Sequence, residues 1–177
     1  MVLLFVGVWS TSIIKPYQKE RLTSFLHPTI NLTGIGLQLA QSKLAIGSGG
    51  LLGTGFLKGV QFQKIPENYT DFIFAVLGEE WGLIGVIVLV VLYGVIIYRL
   101  IKIAKNSKDI FGTVISVGLI SNLLFSIFQN IGMNIGIMPI TGITLPFMSY
   151  GGSSLLTSFM VVGLVLNIGM RRKKINF

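Results

Sequence analysis

Apolar positions run almost without interruption from Phe72 to Tyr98, from Ile110 to Ile131 and from Ser153 to Met170. Stretches of about 20 apolar residues match the hydrocarbon thickness of a bilayer. The pattern therefore predicts transmembrane helices over 66–98, 110–131 and 153–170. A further apolar run, Met1–Ile14, is too short to span alone and has no basic residue ahead of it, as a signal peptide would. It reads as the end of a transmembrane helix that begins upstream, so the chain reads as truncated. The fold class expected is an all-α integral membrane protein, a polytopic helical bundle.

Polar residues gather between these runs. Residues 15–65 form a long mixed loop in which Lys15–Leu22 is amphipathic enough for a short interfacial helix, ended by His27-Pro28. Gly34–Leu44 reads as a second short helix with Gln38, Gln41 and Lys43 as its polar positions. The glycine-rich run Gly47–Gly55 follows. Glycines let backbone amides approach a phosphate, but neither a G-K-[ST] ending nor a G-x-G-x-x-G register is present. Backbone freedom where a loop folds over a membrane surface is the favoured reading. The segment 132–152 contains Pro139, Pro146 and repeated glycines, which rule out one continuous helix. Irregular backbone at membrane depth survives only where protein or water covers it. This segment, with Gln129, Asn130, Asn134, Ser149 and Tyr150 as its polar groups, is expected to form a re-entrant or cavity-lining loop opposite Asp71.

Composition agrees with this picture. The chain is 52% hydrophobic and 11% charged, with a mean hydropathy of +0.80, far from the roughly 25% charged of soluble domains. A formal net charge of +8 suggests nucleic acid at first sight. The basic residues instead flank the apolar runs, at Arg99, Lys102, Lys105 and Lys108 and again at Arg171–Lys174. Two spans separate these clusters, which places both on one side, and the positive-inside rule makes that side cytoplasmic. Residues 99–109 are then a cytoplasmic loop and 171–177 a cytoplasmic tail, while 15–65, 132–152 and Asp71 face outside. The absence of cysteine excludes disulfides and thiolate metal sites.

The candidate chemistry is acidic. Asp71 and Glu67 sit at the mouth of the 66–98 span, with Pro66 suited to a first helical position. Asn68, three residues before Asp71, also fits a capping box, in which Asp71 would only complement the helix start. Glu79 and Glu80 lie about two turns further along, beside Trp81 as a membrane-belt residue. A carboxylate in a membrane helix usually faces a cavity or a partner, so a polar cavity reaching down from Asp71 is expected; an interhelical hydrogen bond is the plainer alternative. His27 has no second histidine near it and does not suggest a metal ligand.

Three separated segments, QSKLAIGSGGLLGTGF, PENYTDFIFAVLGEEWG and PITGITLPFMSYGGSSLL, resemble the SEDS family of cell-wall polymerases, of the RodA, FtsW and SpoVE types. The likeness extends over nearly the whole chain, and NIGMNIGIMPITG is closer to the RodA branch. The chain resembles the C-terminal portion of the family's ten-helix fold. The resemblance implies a peptidoglycan glycosyltransferase that polymerises lipid II outside the cytoplasmic membrane of a bacterium, with Asp71 as the essential aspartate and general base. Arg21, Gln41, Lys43, Glu67, Thr70, Glu79, Glu80 and Ser149 are the candidate substrate-binding residues. A divalent cation, Mg or Mn, held by Asp71 and Glu67, or else Lys43 and Arg21, would neutralise the donor's pyrophosphate. Undecaprenyl-pyrophosphate-linked glycan and a class B penicillin-binding protein are the implied partners. Tyr69 departs from the family, which usually has histidine there. A flippase for the lipid-linked precursor is the rival reading, with Glu79, Glu80, Gln129 and Asn130 as its polar path.

Overall fold

The computed structural model describes Arg21, residues 34–66 and residues 68–171. The expectations for 1–14, the remainder of 15–22, His27 and Glu67 lie outside the described residues. From residue 34 on, the described residues form four α-helices in order: α1 (Ile35–Gly49), α2 (Ile73–Lys105), α3 (Ile110–Ile135) and α4 (Gly152–Met170), with a 3₁₀ turn at Phe62–Lys64 before α2. Among the described residues there is no strand. The helices α2, α3 and α4 are each long and apolar enough to cross a membrane, and the protein is an all-α polytopic membrane bundle.

The three spans touch along narrow seams. On α2 the buried residues Leu89, Tyr93, Leu100 and Ala104 recur at intervals of four and seven. On α3 they are Ser116, Ile120, Leu123, Ile127, Asn130 and Asn134, alternating by four and three. Ser158, Val161 and Val165 do the same on α4. Such spacing gives a stripe about two residues wide per heptad, flanked by partly buried side chains such as Val86, Ile97 and Leu119, while most of the apolar side chains on the outer faces of the three helices are exposed. Lipid suits that surface, because burial against water is not what sorts side chains inside a bilayer. The Tyr93 hydroxyl donates to Pro146 O and ties the irregular segment after α3 to the seam.

Helix ends are fixed locally. Lys102 and Lys105 occupy the last turn of α2, where cations complement the helix dipole. The helix α3 continues past the expected Ile131 to Ile135 and stops at Gly136 in the left-handed conformation, with Ile137 N–H and Met138 N–H both donating to Gly132 O. The helix α2 starts at Ile73 rather than Pro66. Asn68 is not its cap: that side-chain amide donates back to Phe62 O at 3.2 Å, and the N-cap residue is Phe72.

The helix α2 is broken at Gly82, where φ is 62° and ψ −160°. In a continuous helix the carbonyls of Glu79 and Glu80 would receive the N–H groups of Leu83 and Ile84. Here Leu83 N–H donates to Gly50 O (2.9 Å) and Ile84 N–H to Leu51 O (3.3 Å). The carbonyls of Glu79 and Glu80 in turn accept from Thr54 N–H (2.9 Å) and Gly55 N–H (3.1 Å). The glycine-rich run is thus spliced into the break, exchanging four backbone bonds with it. This is the physical use of its glycines, and it differs from both the phosphate cradle and simple flexibility. At Gly82 a Cβ would meet Gly53 N and the Leu51 carbonyl, and its positive φ further demands glycine. Beyond the break, Leu83–Lys105 supplies about 34 Å of helix, enough for the hydrocarbon core.

Candidate active site

Asp71 lies on the peptide 69–71, just before α2, and two other elements, α3 and the 137–151 segment, grip that peptide by its carbonyls. Tyr150 N–H donates to Tyr69 O at 2.8 Å. The Ser149 hydroxyl donates to Thr70 O at 2.6 Å while accepting Leu145 N–H at 2.7 Å. The Asn130 side-chain amide donates to Asp71 O at 2.9 Å and to Ile143 O at 2.8 Å. Asn134 reaches the same Asp71 O at 3.2 Å. Asn130 and Asn134 share a face of α3 because they are one turn apart, and both are fully buried. Ser42 on α1 closes the set: its hydroxyl lies 2.9 Å from Asn134 O and 3.2 Å from Asn134 Oδ1. A buried network of this kind holds one geometry, since every unmade bond would leave a desolvated polar group.

The carboxylate of Asp71 is directed at Gly142. A Cβ built there would lie 3.3 Å from Asp71 Oδ2 and 4.0 Å from Arg21 Nη2. An acid and a guanidinium therefore face the same gap, which exists because residue 142 has no side chain. Gly142 has a φ of 75°. Beside the clamped peptide an open hollow of about 810 Å³ is lined by Tyr69, Ile73, Phe147, Tyr150 and Leu155, mostly apolar. Phe147 holds a positive φ of 64° and packs edge-on against Phe159 at 5.4 Å between ring centres.

The other expected site residues are placed differently. Lys43 is exposed and lies across Gly136 at the end of α3. Gln41 is half-buried, and its Oε1 has no hydrogen-bond partner among the described residues. Thr70 contributes its carbonyl to the clamp. The single hydroxyl proton of Ser149 is donated to that carbonyl, so Ser149 acts on the backbone that carries Asp71.

Glu79 and Glu80 do not open a polar path from Asp71. Glu79 is 1% exposed, and its carboxylate accepts Val60 N–H and Gln61 N–H at 2.8 Å and Phe62 N–H at 2.7 Å. Glu80 accepts Leu57 N–H at 3.0 Å. These carboxylates hold the loop that the Gly82 break receives. The interhelical alternative also fails, because their partners are loop amides. Gln129 donates to Pro139 O at 3.0 Å.

A divalent cation needs several hard oxygen donors. Among the described residues no three of His, Cys, Asp or Glu converge, and the group sharing the Gly142 gap with Asp71 is a guanidinium. The described residues do not by themselves fit an ion. Sequence reasoning missed Ser42 and Gly142. For Ser42 the signal would have been the small buried residue in QSKLA facing an Asn-x₃-Asn pair; Gly142 carried none.

Residues 1–174 match the family model described as cell cycle protein, which joins FtsW, RodA and SpoVE. The chain is similar to stage V sporulation protein E of Bacillus subtilis, 46% identical over 165 residues, 93% of this chain and 44% of that protein. It is similar to peptidoglycan glycosyltransferase MrdB of Escherichia coli K12, 42% identical over 178 residues, 99% of this chain and 48% of that protein. The chain thus spans about half the length of the curated relatives it matches. A solved structure of a peptidoglycan synthase complex that coordinates polymerization and crosslinking superposes with a TM-score of 0.77 at 34% identity, covering 97% of this chain and 46% of that one.

Proposed function

The chain belongs to the FtsW, RodA and SpoVE family, and from that premise we propose that it carries the catalytic aspartate of a peptidoglycan glycosyltransferase acting on lipid II. The observation that carries the proposal is the gripping of residues 69–71 by four separate donors while the Asp71 carboxylate faces the Gly142 gap. An acid whose backbone is fixed from α3, itself held by Ser42 of α1, and from the 137–151 segment is preorganised.

In the reaction, the 4-hydroxyl of the acceptor sugar attacks the anomeric carbon of the donor. The oxygen–carbon bond forms as the bond to the undecaprenyl pyrophosphate breaks. Asp71 takes the hydroxyl proton, a contribution typically of about 10²–10⁴-fold, and the pyrophosphate leaves with the electron pair. Arg21, facing the same gap, and Lys43 stabilise that negative charge. Gln41 and Thr70 remain contacts for the sugar or peptide, and Glu67 a partner that orients Asp71. No step is routed through a divalent cation. The apolar hollow beside Tyr69 and Phe147 suits the prenyl chain or the face of a sugar ring.

Asp71 faces the outer side of the bacterial cytoplasmic membrane, with the basic Arg99–Lys108 loop and the C-terminal tail in the cytoplasm; the charge asymmetry of the sequence supports this. A class B penicillin-binding protein is the partner, a reading supported by the likeness to a synthase complex. The NIGMNIGIMPITG segment favours wall elongation over division. A flippase is the weaker reading, because the four residues of its polar path all donate to or accept from protein groups.

The test is polymerisation of labelled lipid II by the full-length protein with its transpeptidase, wild type against Asp71→Asn. A glycan ladder lost in the variant while lipid II binding persists is the expected result. Equal ladders would remove Asp71 from the chemistry.

A further inference from the structure

The loop spliced into the Gly82 break carries an exposed apolar crest that the proposed reaction does not use. Leu51, Leu52, Phe56, Leu57 and Val60 are all exposed, Leu52 at 80% and Leu57 at 72%. Leu57 holds a positive φ of 59°, a conformation that costs a leucine energy and that glycine or asparagine would adopt more easily. Its N–H is pinned there by Glu80 Oε1, and the next residues are pinned by Glu79. Buried carboxylates are thus spent on holding large apolar side chains outward, at a backbone position that disfavours them.

The splice fixes the height of this crest relative to the bilayer. Trp81, adjacent to the break, is 56% exposed and Tyr98 is 63% exposed. Their separation along α2 is about 25 Å, close to the hydrocarbon thickness, as expected of the two aromatic belts. Arg99 follows Tyr98 at one boundary. Leu51 and Gly50 are bonded to Ile84 and Leu83, so the loop leaves α2 at the other boundary, level with Trp81. Immediately below, Leu83, Ile84, Ile87 and Val88 are exposed and apolar, and the crest continues that lipid-facing surface. Lys58, exposed at the middle of the loop, reaches headgroup phosphates when the crest is down, as lysines at an interface do.

We propose that residues 51–60 form an interfacial anchor, dipping into the leaflet on the Trp81 side, with Leu52, Phe56 and Leu57 among the upper acyl chains and Lys58 at the phosphates. The occupant of the crest is the phospholipid leaflet itself. Anchoring both the splice and the α1 end to lipid would hold the polypeptide leading to Asp71 at a constant height above the membrane, where a lipid-linked ligand presents its headgroup. The apolar depth is that of a monotopic segment.

The 177 residues contain no cysteine, so single-cysteine labelling needs no background removal within them. An environment-sensitive fluorophore is attached to Leu52→Cys, Phe56→Cys or Lys64→Cys in the full-length protein, reconstituted into vesicles of phosphatidylethanolamine and phosphatidylglycerol. All three positions are exposed, so the labels do not disturb packing. At Leu52 and Phe56, emission is expected to shift to the blue, with quenching by lipids carrying a doxyl group near the headgroup about twofold or more above that at Lys64. The Lys64 probe should answer to aqueous iodide. Iodide quenching at Leu52 and Phe56 would overturn the anchor. So would shielding from both quenchers, which would mean that protein covers the crest.

Discussion

Two parts of this molecule hold acidic residues within a few turns of each other, and they use them in opposite ways. At Glu79 and Glu80 the side chains are consumed: four loop N–H groups converge on the two carboxylates. At Asp71 neutral amides and a hydroxyl grip the backbone, all acting on carbonyls, and an arginine lies near the carboxylate. One region uses charge to shape a loop; the other uses neutral donors to fix where a charge stands. The type and spacing of acidic residues therefore do not tell a carboxylate that shapes a loop from one whose backbone is fixed by the rest of the fold. The partner of the backbone does.

The first way to break this comparison is to neutralise each acid and measure both activity and stability. Asp71→Asn should cost about 10²–10⁴-fold in lipid II polymerisation with little change in the thermal unfolding of the detergent-solubilised protein. Glu79→Ala should do the reverse in kind: it strands three amides, and the loss of a buried charged acceptor of this sort is worth about 3–5 kcal/mol. Protease cutting within 55–62 reports that loss directly. If Glu79→Ala left the loop protected while Asp71→Asn unfolded the protein, the assignment of roles would be inverted.

A smaller effect sharpens the comparison from the other side. Asn134→Ala removes one donor from Asp71 O and the Ser42 contact to Oδ1, leaving the Ser42 bond to the backbone carbonyl of residue 134, which should cost about 1–3 kcal/mol of stability. Because the Asp71 carboxylate remains, kcat should fall while KM for lipid II changes little, and restoring the amide at the same position should restore both. A fall in KM-limited binding alone would mean that the α3 asparagines touch substrate rather than position the acid.

Much of the fold was legible because the signals that wrote it are local. Unbroken apolar runs announced α2, α3 and α4, and Pro139, Pro146 and the glycines of 132–152 announced irregular backbone. The start of α2 was not legible. Pro66 and Asn68 carry helix-start chemistry, but the carbonyls of 69–71 are taken by residues from 130 to 150, and Asn68 turns back to Phe62. That choice depends on elements some sixty to eighty positions away. The break at Gly82 was hidden for a similar reason. Its four backbone exchanges with 50–55 leave no side-chain pattern, so GSGGLLGTG looked like a free loop and GEEWG like a stretch of helix. Asp71 stood out by its place before an apolar run, yet what grips it could be named only in part, as the polar groups of 129–150. Ser42 looked like one more polar residue of α1.

The finest test concerns Gly142, which nothing in the sequence marked. Its φ of 75° makes any side chain unfavourable there, at about 1 kcal/mol for alanine. Stability alone would therefore report a modest defect, much like that at any left-handed glycine. The proposed chemistry makes a different demand: the new methyl would stand 3.3 Å from Asp71 Oδ2 and 4.0 Å from Arg21 Nη2, in the gap where, on that proposal, the acceptor hydroxyl meets the acid. Gly142→Ala should thus lose more activity than its stability predicts, while alanine at Gly50, another positive-φ glycine with a φ of 54° and no heavy atom within 4 Å of an added Cβ, provides the comparison. Polymerisation rates and unfolding temperatures of the two variants, measured side by side, separate strain from obstruction. If both variants lost activity in proportion to stability, the Gly142 gap would be only a turn, and the acid would have to meet its substrate elsewhere.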